Sequence, residues 1–348
     1  GPAALLGFAE QFSGRFTTVH EFGHQYFQGL LASNEFNQPW LDEGINTTSN
    51  MLVMYDWHPE DPWVAKIGNQ KLTIDDSVRM ALLGAITLDA VDRQVDTYRA
   101  FNPNYGVTVY RKTAALMLTL RNLVGHKVFD KALRAYADSF RFRHPTGKDL
   151  TDKLVATIGQ RVTLAKAKLH DDDPEHPESQ PEVVLDVQAY LDQALQTVDV
   201  VDYKLRTLKI RRIAGNHGWH RDDADALVGG EAPEDLGLRV AQLDDDVIET
   251  LVVVDRKGGF PVPVELEVEF EDGSTERRTW DGKAEYRAFL FPGKRAVRAT
   301  LDPDKKLLLE AHTLDNTRTR KRTDDGLSAA VRDTTELAQL LVIGGMGL

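Results

Sequence analysis

Cysteine is absent from the 348-residue chain. That excludes disulfides, thiolate metal sites and a cysteine nucleophile, and it leaves the redox compartment and localisation open, because a chain without thiols suits either environment. Long apolar runs are missing too. No stretch of about 18 apolar residues occurs, so nothing in this sequence spans a bilayer as a helix, and no signal-peptide pattern is visible. Basic charge is scarce: 42 Lys and Arg stand against 54 Asp and Glu, a net charge of −12. This argues against nucleic acid as a partner, since phosphate backbones need a basic footprint. What is present, 42% hydrophobic and 28% charged residues, is the composition of a globular protein long enough for two domains with cores of their own. The chain begins Gly-Pro without Met and stops soon after "LAQLLVIGGMGL", so both ends read as cut from a longer protein. Its oligomeric state is not legible.

The segment "TTVHEFGHQYF" (17–27) carries His20 and His24 with Glu21 beside the first. In a helix, residues four apart lie about 6 Å from each other on one face. Two imidazoles there can converge on one zinc ion, while Glu21, on the adjacent edge, can hold a water bound to it. Gly23 offers room for close packing, and Thr17 or Thr18 is a candidate N-cap. H-E-x-x-H arises by chance in a chain of this composition at roughly one or two in a hundred, so a third ligand decides between a metal site and two histidines on a helix edge. Glu43 stands 18 intervening residues beyond His24, in "QPWLDEGINTTSN". The "NQP" break before it permits two antiparallel helices that bring Glu43 to the open side of the pair. Requiring that Glu cuts the chance figure to roughly one in a thousand.

H-E-x-x-H, 18 residues, then Glu within "WLDEG" resembles the gluzincin metallopeptidases, and among them the membrane-alanyl aminopeptidase and leukotriene-A4 hydrolase family. Its Tyr-x-Lys-Gly landmark is matched by "VTVYRKTAALMLTLRNLVG", which places Tyr110 67 residues after Glu43. "VFDKALRAYADSFRFRHPTGKDL" follows the same rhythm of helix, short basic-aromatic link and helix. The resemblance is strong over about residues 15 to 160. It implies one Zn2+ per chain on His20, His24 and Glu43, Glu21 as general base and acid, and Tyr110 as the O–H donor to the developing oxyanion. Tyr105 and Tyr98 are nearby rivals that lack a Lys two residues on. Asp42 and Asn50 are expected to brace the ligands. The implied reaction is hydrolysis of a peptide or protein substrate, of aminopeptidase type in the full-length protein. Rival readings are a weak or inactive scaffold, and a zinc hydrolase that needs no free N-terminus.

Several positions depart from the family pattern. Gln28-Gly29 replaces the usual Gly-Asn, Thr113 replaces the Gly after Tyr-x-Lys, and Asn50 stands where a Glu often buttresses a ligand histidine. Nothing like the amine-binding Gly-x-Met-Glu-Asn segment occurs before His20.

The expected fold is multidomain α+β: a mostly helical thermolysin-like catalytic domain over 1–200, an immunoglobulin-like β-sandwich over 201–318, and a C-terminal helix or tail over 319–348. Apolar residues recur at helical spacing from 110 to about 200, around an acidic, proline-bearing loop, "HDDDPEHPESQPE" (170–182), read as solvated and flexible rather than as a metal cluster. After 200 the period becomes that of some seven strands. His217 and His220 in "NHGWH" read as a surface turn.

Overall fold

The computed structural model describes residues 2–57, 63–67, 70–76, 79, 89–98, 104–166, 182–212, 217–221, 227–231 and 248–320. The architecture is α+β, with a mainly helical first part that includes two strand pairs, and the two larger antiparallel sheets after it. Among the described residues no helix is long and apolar enough to cross a membrane.

Helix α1 (Pro2–Tyr26) runs directly into a wider π-helical turn, Phe27–Leu31, which stops on Ala32 at φ 54°. The Asn34 side-chain oxygen accepts from the amides of Phe36 and Asn37, tightening the reversal. Pro39 then leads into a second π-helical turn, Trp40–Gly44, continued as α2 (Ile45–Trp57). Strands β1 (Trp63–Ile67) and β2 (Gln70–Thr73) form an antiparallel pair. A helical turn, Asn104–Gly106, opens a third π-helical segment, Val107–Lys112, which becomes α3 (Thr113–Val124). Every residue of α3 from Thr113 to Leu120 is buried, so this helix is the spine of the helical layer.

Helix α4 (His126–Phe140) follows a glycine, Gly125 at φ 95°, that ends α3. The "HPTGKDL" signal becomes the N-terminus of α5 (Gly147–Ile158). Thr146 caps the Asp149 amide and Asp149 returns the bond, a capping box that satisfies two otherwise orphaned donors. Strands β3 (Arg161–Lys166) and β4 (Glu182–Asp186) pair antiparallel, and α6 (Val187–Gln196) follows. That pair interrupts the helical run expected from 110 to 200. The acidic loop between the strands lies outside the described residues up to Pro181, as does the terminal segment beyond Arg320.

The strand-period region forms two antiparallel sheets, with β5 (Tyr203–Arg212), β8 (Ile248–Arg256) and β11 (Tyr286–Pro292) in one, in the order β11-β8-β5. The other holds β9 (Val264–Phe270), β10 (Thr275–Trp280), β12 (Ala296–Leu301) and β13 (Thr317–Thr319), ordered β10-β9-β12-β13. Alternate residues of β9, Val264, Leu266, Val268 and Phe270, are buried, as the two-residue period requires. Across the gap Phe270 meets Phe291 and Tyr203 meets Trp280, each at 5.5 Å between ring centroids. A separate pair, β6 (His217–Arg221) with β7 (Leu227–Glu231), takes up "NHGWH" from His217 onward, so the expected turn is strand instead.

The segment between β12 and β13 is tied to α3 by two hydrogen bonds. The Leu308 amide donates to Thr119 Oγ1 at 3.0 Å, and the Asn122 side chain donates to the Lys306 carbonyl at 3.2 Å.

Candidate metal centre

Among the described residues, the three candidate segments read from the sequence are where the helices widen into π-helical turns or lead into one. Such turns are rare, occur as single-turn bulges inside α-helices, and are frequent at functional sites. Gly23 explains how the first two segments come together. A Cβ there would lie 1.9 Å from Asn46 Oδ1. The missing side chain lets Asn46 reach in and donate to the His20 carbonyl at 2.7 Å, pinning α1 to α2.

That contact brings His20, His24 and Glu43 into one cluster, with one ligand atom from each all within 4.8 Å of one another. Glu43 Oε2 sits 3.0 Å from His20 Nε2 and 3.3 Å from His24 Nε2. Ligands about 2.0–2.1 Å from a tetrahedral ion are separated by about 3.3 Å, so the two spacings to Glu43 are close to those of a zinc ligand set, while the three atoms together close only to within 4.8 Å. The donor chemistry fits as well: two imidazoles and a carboxylate leave a fourth position open.

Asp42 pairs with the nitrogen of His24 that faces away from Glu43. Its carboxylate, 5% exposed, lies 2.8 Å from His24 Nδ1. With Nδ1–H donated there, the Nε2 lone pair faces the cluster, an orientation typical of metal-binding histidines. Burial works against a proton on His24. The hydrogen bond and charge of Asp42, with the charges of Glu43 and Glu21, outweigh it and hold the pKa above the ordinary histidine value. Burial likewise works against ionisation of Glu43, but hydrogen bonds from His20 and Tyr110 and the nearby histidines prevail and lower its pKa.

Asn50 behaves differently from Asp42. It donates to the Phe16 carbonyl at 3.0 Å and so braces the helix turn before His20 rather than the imidazole. His20 Nδ1 and Asn50 Oδ1 are both buried without a hydrogen-bond partner. Glu21, one residue round the helix from His20, is exposed.

Tyr110 lies over the cluster. Its ring stacks on His20 at 5.7 Å between centroids and 28° between planes, and its hydroxyl is hydrogen-bonded to Glu43. Burial first, then the Glu43 carboxylate, raise its pKa well above the ordinary phenol value, so it stays an O–H donor. Tyr98 donates to the Val91 carbonyl at 2.8 Å and packs edge-on against Tyr105. Tyr105 is half-buried near the same carboxylates, and its pKa is raised by burial and by Glu43.

Thr113 and Gly44 share a crossing. A Cβ on Gly44 would lie 2.5 Å from the Val109 carbonyl oxygen and from the Thr113 methyl carbon. The turn carrying Glu43 and the segment carrying Tyr110 therefore touch backbone to backbone. Asp92, not singled out from the sequence, anchors the Glu43 turn from outside. Its Oδ1 accepts from Trp40 Nε1 at 3.0 Å and from Gln38 at 2.8 Å, and its Oδ2 accepts from Gln196 at 2.8 Å. A buried indole N–H signals that some acceptor exists, but nothing local in the sequence says which.

Residues 11–167 match the family described as "Peptidase family M1 domain". Aminopeptidase M1 of Arabidopsis thaliana is 29% identical over 145 residues, 41% of this chain and 16% of that protein. Aminopeptidase N of Lactococcus lactis subsp. lactis is 26% identical over 148 residues, 42% of this chain and 17% of that protein. Among solved structures, Legionella pneumophila aminopeptidase A in complex with aspartic acid aligns with a TM-score of 0.47 and 13% identity, covering 84% of this chain and 26% of that one. The matched stretch thus spans about a sixth of the curated relatives' length.

Proposed function

We propose that the chain, whose residues 11–167 match the peptidase family M1 domain, hydrolyses peptide bonds with one zinc ion, as an aminopeptidase in its full-length form. The observation that carries this reading is the convergence of His20 Nε2, His24 Nε2 and Glu43 Oε2 beneath the Tyr110 ring. These three residues would hold the ion, with Asp42 fixing the His24 tautomer. Zinc bound there would act as a Lewis acid toward the scissile carbonyl and lower the pKa of water.

The remaining work falls to side chains. Glu21, exposed beside His20, takes the proton of the attacking water and returns it to the departing amine. Tyr110 keeps its hydroxyl proton and donates it, as a hydrogen bond, to the carbonyl oxygen as negative charge develops. The same hydroxyl meets Glu43 when no substrate competes for it.

We further assign residues 1–200 to the catalytic, thermolysin-like unit, 201–318 to an immunoglobulin-like sandwich, and 319–348 to a C-terminal helix or tail. The three-plus-four strand arrangement and its aromatic pairs across the gap support the sandwich assignment. The substrate is a peptide or protein.

Elemental analysis of chelator-free protein should give about one zinc per chain. Glu21→Gln should keep that zinc and lose hydrolysis, because an amide cannot accept the water's proton. Zinc bound without turnover of either free-amine or N-acetylated peptides by the parent would favour the scaffold reading. Hydrolysis by Glu21→Gln at the parent rate would remove Glu21 from its role.

A further inference from the structure

The segment that carries Tyr110 is held at both ends by a single buried residue. Asp89, with no exposed surface, lies 15 residues before Asn104 and 23 before Lys112. Its Oδ2 accepts from the Asn104 side chain, at the start of the segment. Its main-chain carbonyl accepts from Lys112 Nζ at 3.1 Å, at the end of it. The other carboxylate oxygen, Oδ1, is paired with Arg93 Nη1 at 2.8 Å. Between the two ends, Thr108 Oγ1 donates to Asn104 Oδ1 at 3.4 Å.

Lys112 is an unusual choice for this place. It is 3% exposed, and among the described residues its ammonium donates to two main-chain carbonyls, Asp89 and Thr197, the latter at 3.4 Å. Burial pushes its pKa down to about 8 against the pull of Asp89 and Asp199. A buried cation is retained at a cost in desolvation, and its best-attested return is conformational specificity rather than stability. Here the specificity has an evident object. Val107–Lys112 is a π-helical turn, which would relax to the regular α-helical repeat if its end were released. Removing one residue from the turn's circumference would rotate Tyr110 about the helix axis and away from His20 and Glu43.

We propose that Lys112 and Asp89 form a buried strut that holds the Val107–Lys112 turn in its π-helical form and so sets Tyr110 over the metal cluster. Lys112 is thus a positioning residue, acting through Tyr110 alone. The inference rests on the hydrolytic reading for its effect on rate, but not for its effect on the position of the ring.

Two measurements on the full 348-residue chain separate these. The first is kinetic. Lys112→Met should lower kcat by about 10- to 100-fold with KM and zinc content near those of the parent, as expected when a group acting in the transition state is displaced. In a Tyr110→Phe background the same change should cost nothing further, because two residues acting as one unit are not additive. A loss that multiplies in both backgrounds, or no loss at all, overturns the strut. The second measurement needs no turnover. 3-Fluorotyrosine incorporated at position 110 should give one narrow 19F line in the parent, and a shifted or broadened line in Lys112→Met. An unchanged line overturns the proposal even if the parent hydrolyses nothing, whereas a shifted line with no parental activity supports the strut and counts against the hydrolytic reading only. Where Lys112→Met fails to fold, Asp89→Asn, which keeps the carbonyl acceptor and weakens the bonds to Arg93 and Asn104, should shift the same 19F line.

Discussion

Gly44→Ala is the smallest change that should uncouple the two functional turns. The added methyl carbon would sit 2.5 Å from both the Val109 carbonyl oxygen and the Thr113 methyl carbon. Ordinary contact begins near 3.4 Å, so the two segments must part by about 0.9 Å. Thr113 cannot relieve this by changing rotamer, because its Cβ is itself only 2.6 Å away and the carbonyl oxygen belongs to the backbone. Both segments are buried, with Thr113 and Val109 fully enclosed, so the separation cannot be absorbed at a surface. Overpacking of this kind costs roughly 1–3 kcal/mol of stability. The functional cost should be larger in proportion. Glu43 and Tyr110 lie on opposite sides of the crossing, and a displacement of about 1 Å at a reacting centre costs about 100-fold in rate. The expected variant is a folded protein with a modestly lowered melting temperature, full zinc and kcat reduced by about two orders of magnitude. Thr113→Gly should restore little of this, since the Val109 carbonyl remains in place. Parental kcat and melting temperature in Gly44→Ala would refute the backbone contact and the coupling built on it.

Three other outcomes are expected. Asp42→Asn should weaken zinc binding by about 10- to 100-fold, because the amide no longer fixes the His24 tautomer as an anion does; competition with a chromogenic chelator measures it, and unchanged affinity would dismiss Asp42 as a brace. Tyr110→Phe should lower kcat by about 100- to 1,000-fold with little change in KM, if the hydroxyl acts mainly in the transition state; a variant as fast as the parent would transfer the role, with Tyr105 the first candidate. Glu310 should impose a pH dependence on folding. Burial raises its carboxyl to about 8, so the folded chain holds a proton that the unfolded chain releases near 4.5. Stability contributed by the neutral acid is therefore full at low pH and is lost as pH rises through that window, by about 5 kcal/mol at most. Urea titrations at pH 5 and pH 8 should show this fall in the parent and a smaller one in Glu310→Gln; equal slopes in the two proteins would remove Glu310 as the cause.

Much of the candidate metal centre is legible without tertiary structure because its geometry is local. His20 and His24 share a face through the helical repeat alone, whatever surrounds them. Glu43 needs a reversal of the chain as well, and that too is written nearby, in Asn34 and Pro39. The α5 cap at Thr146 and Asp149 and the alternating burial of β9 follow from equally short patterns. Tyr110 is visible only through its resemblance to a known motif, since nothing in its own surroundings says that its ring will stack on a histidine 90 residues earlier. The sequence cannot rank Asp42 against Asn50 as a brace; packing does, by turning the first toward His24 and the second toward the Phe16 carbonyl. The expected helical run to residue 200 is broken by β3 and β4, and "NHGWH" enters a strand, because pairing with a distant partner overrides short-range preference.

What the sequence by itself determined is thus the candidate cluster of His20, His24 and Glu43 and the periods of the elements, governed by the helical and strand repeats and by a short reversal of the chain. What only the tertiary structure decided is how those elements are held: Asp92 against Trp40, Asp89 against Asn104 and Lys112, Gly44 against Val109, and the order of strands in the two sheets. Buried polar groups must find partners wherever the chain happens to bring them. The identity of such a partner is a property of the folded packing, not of any stretch of sequence.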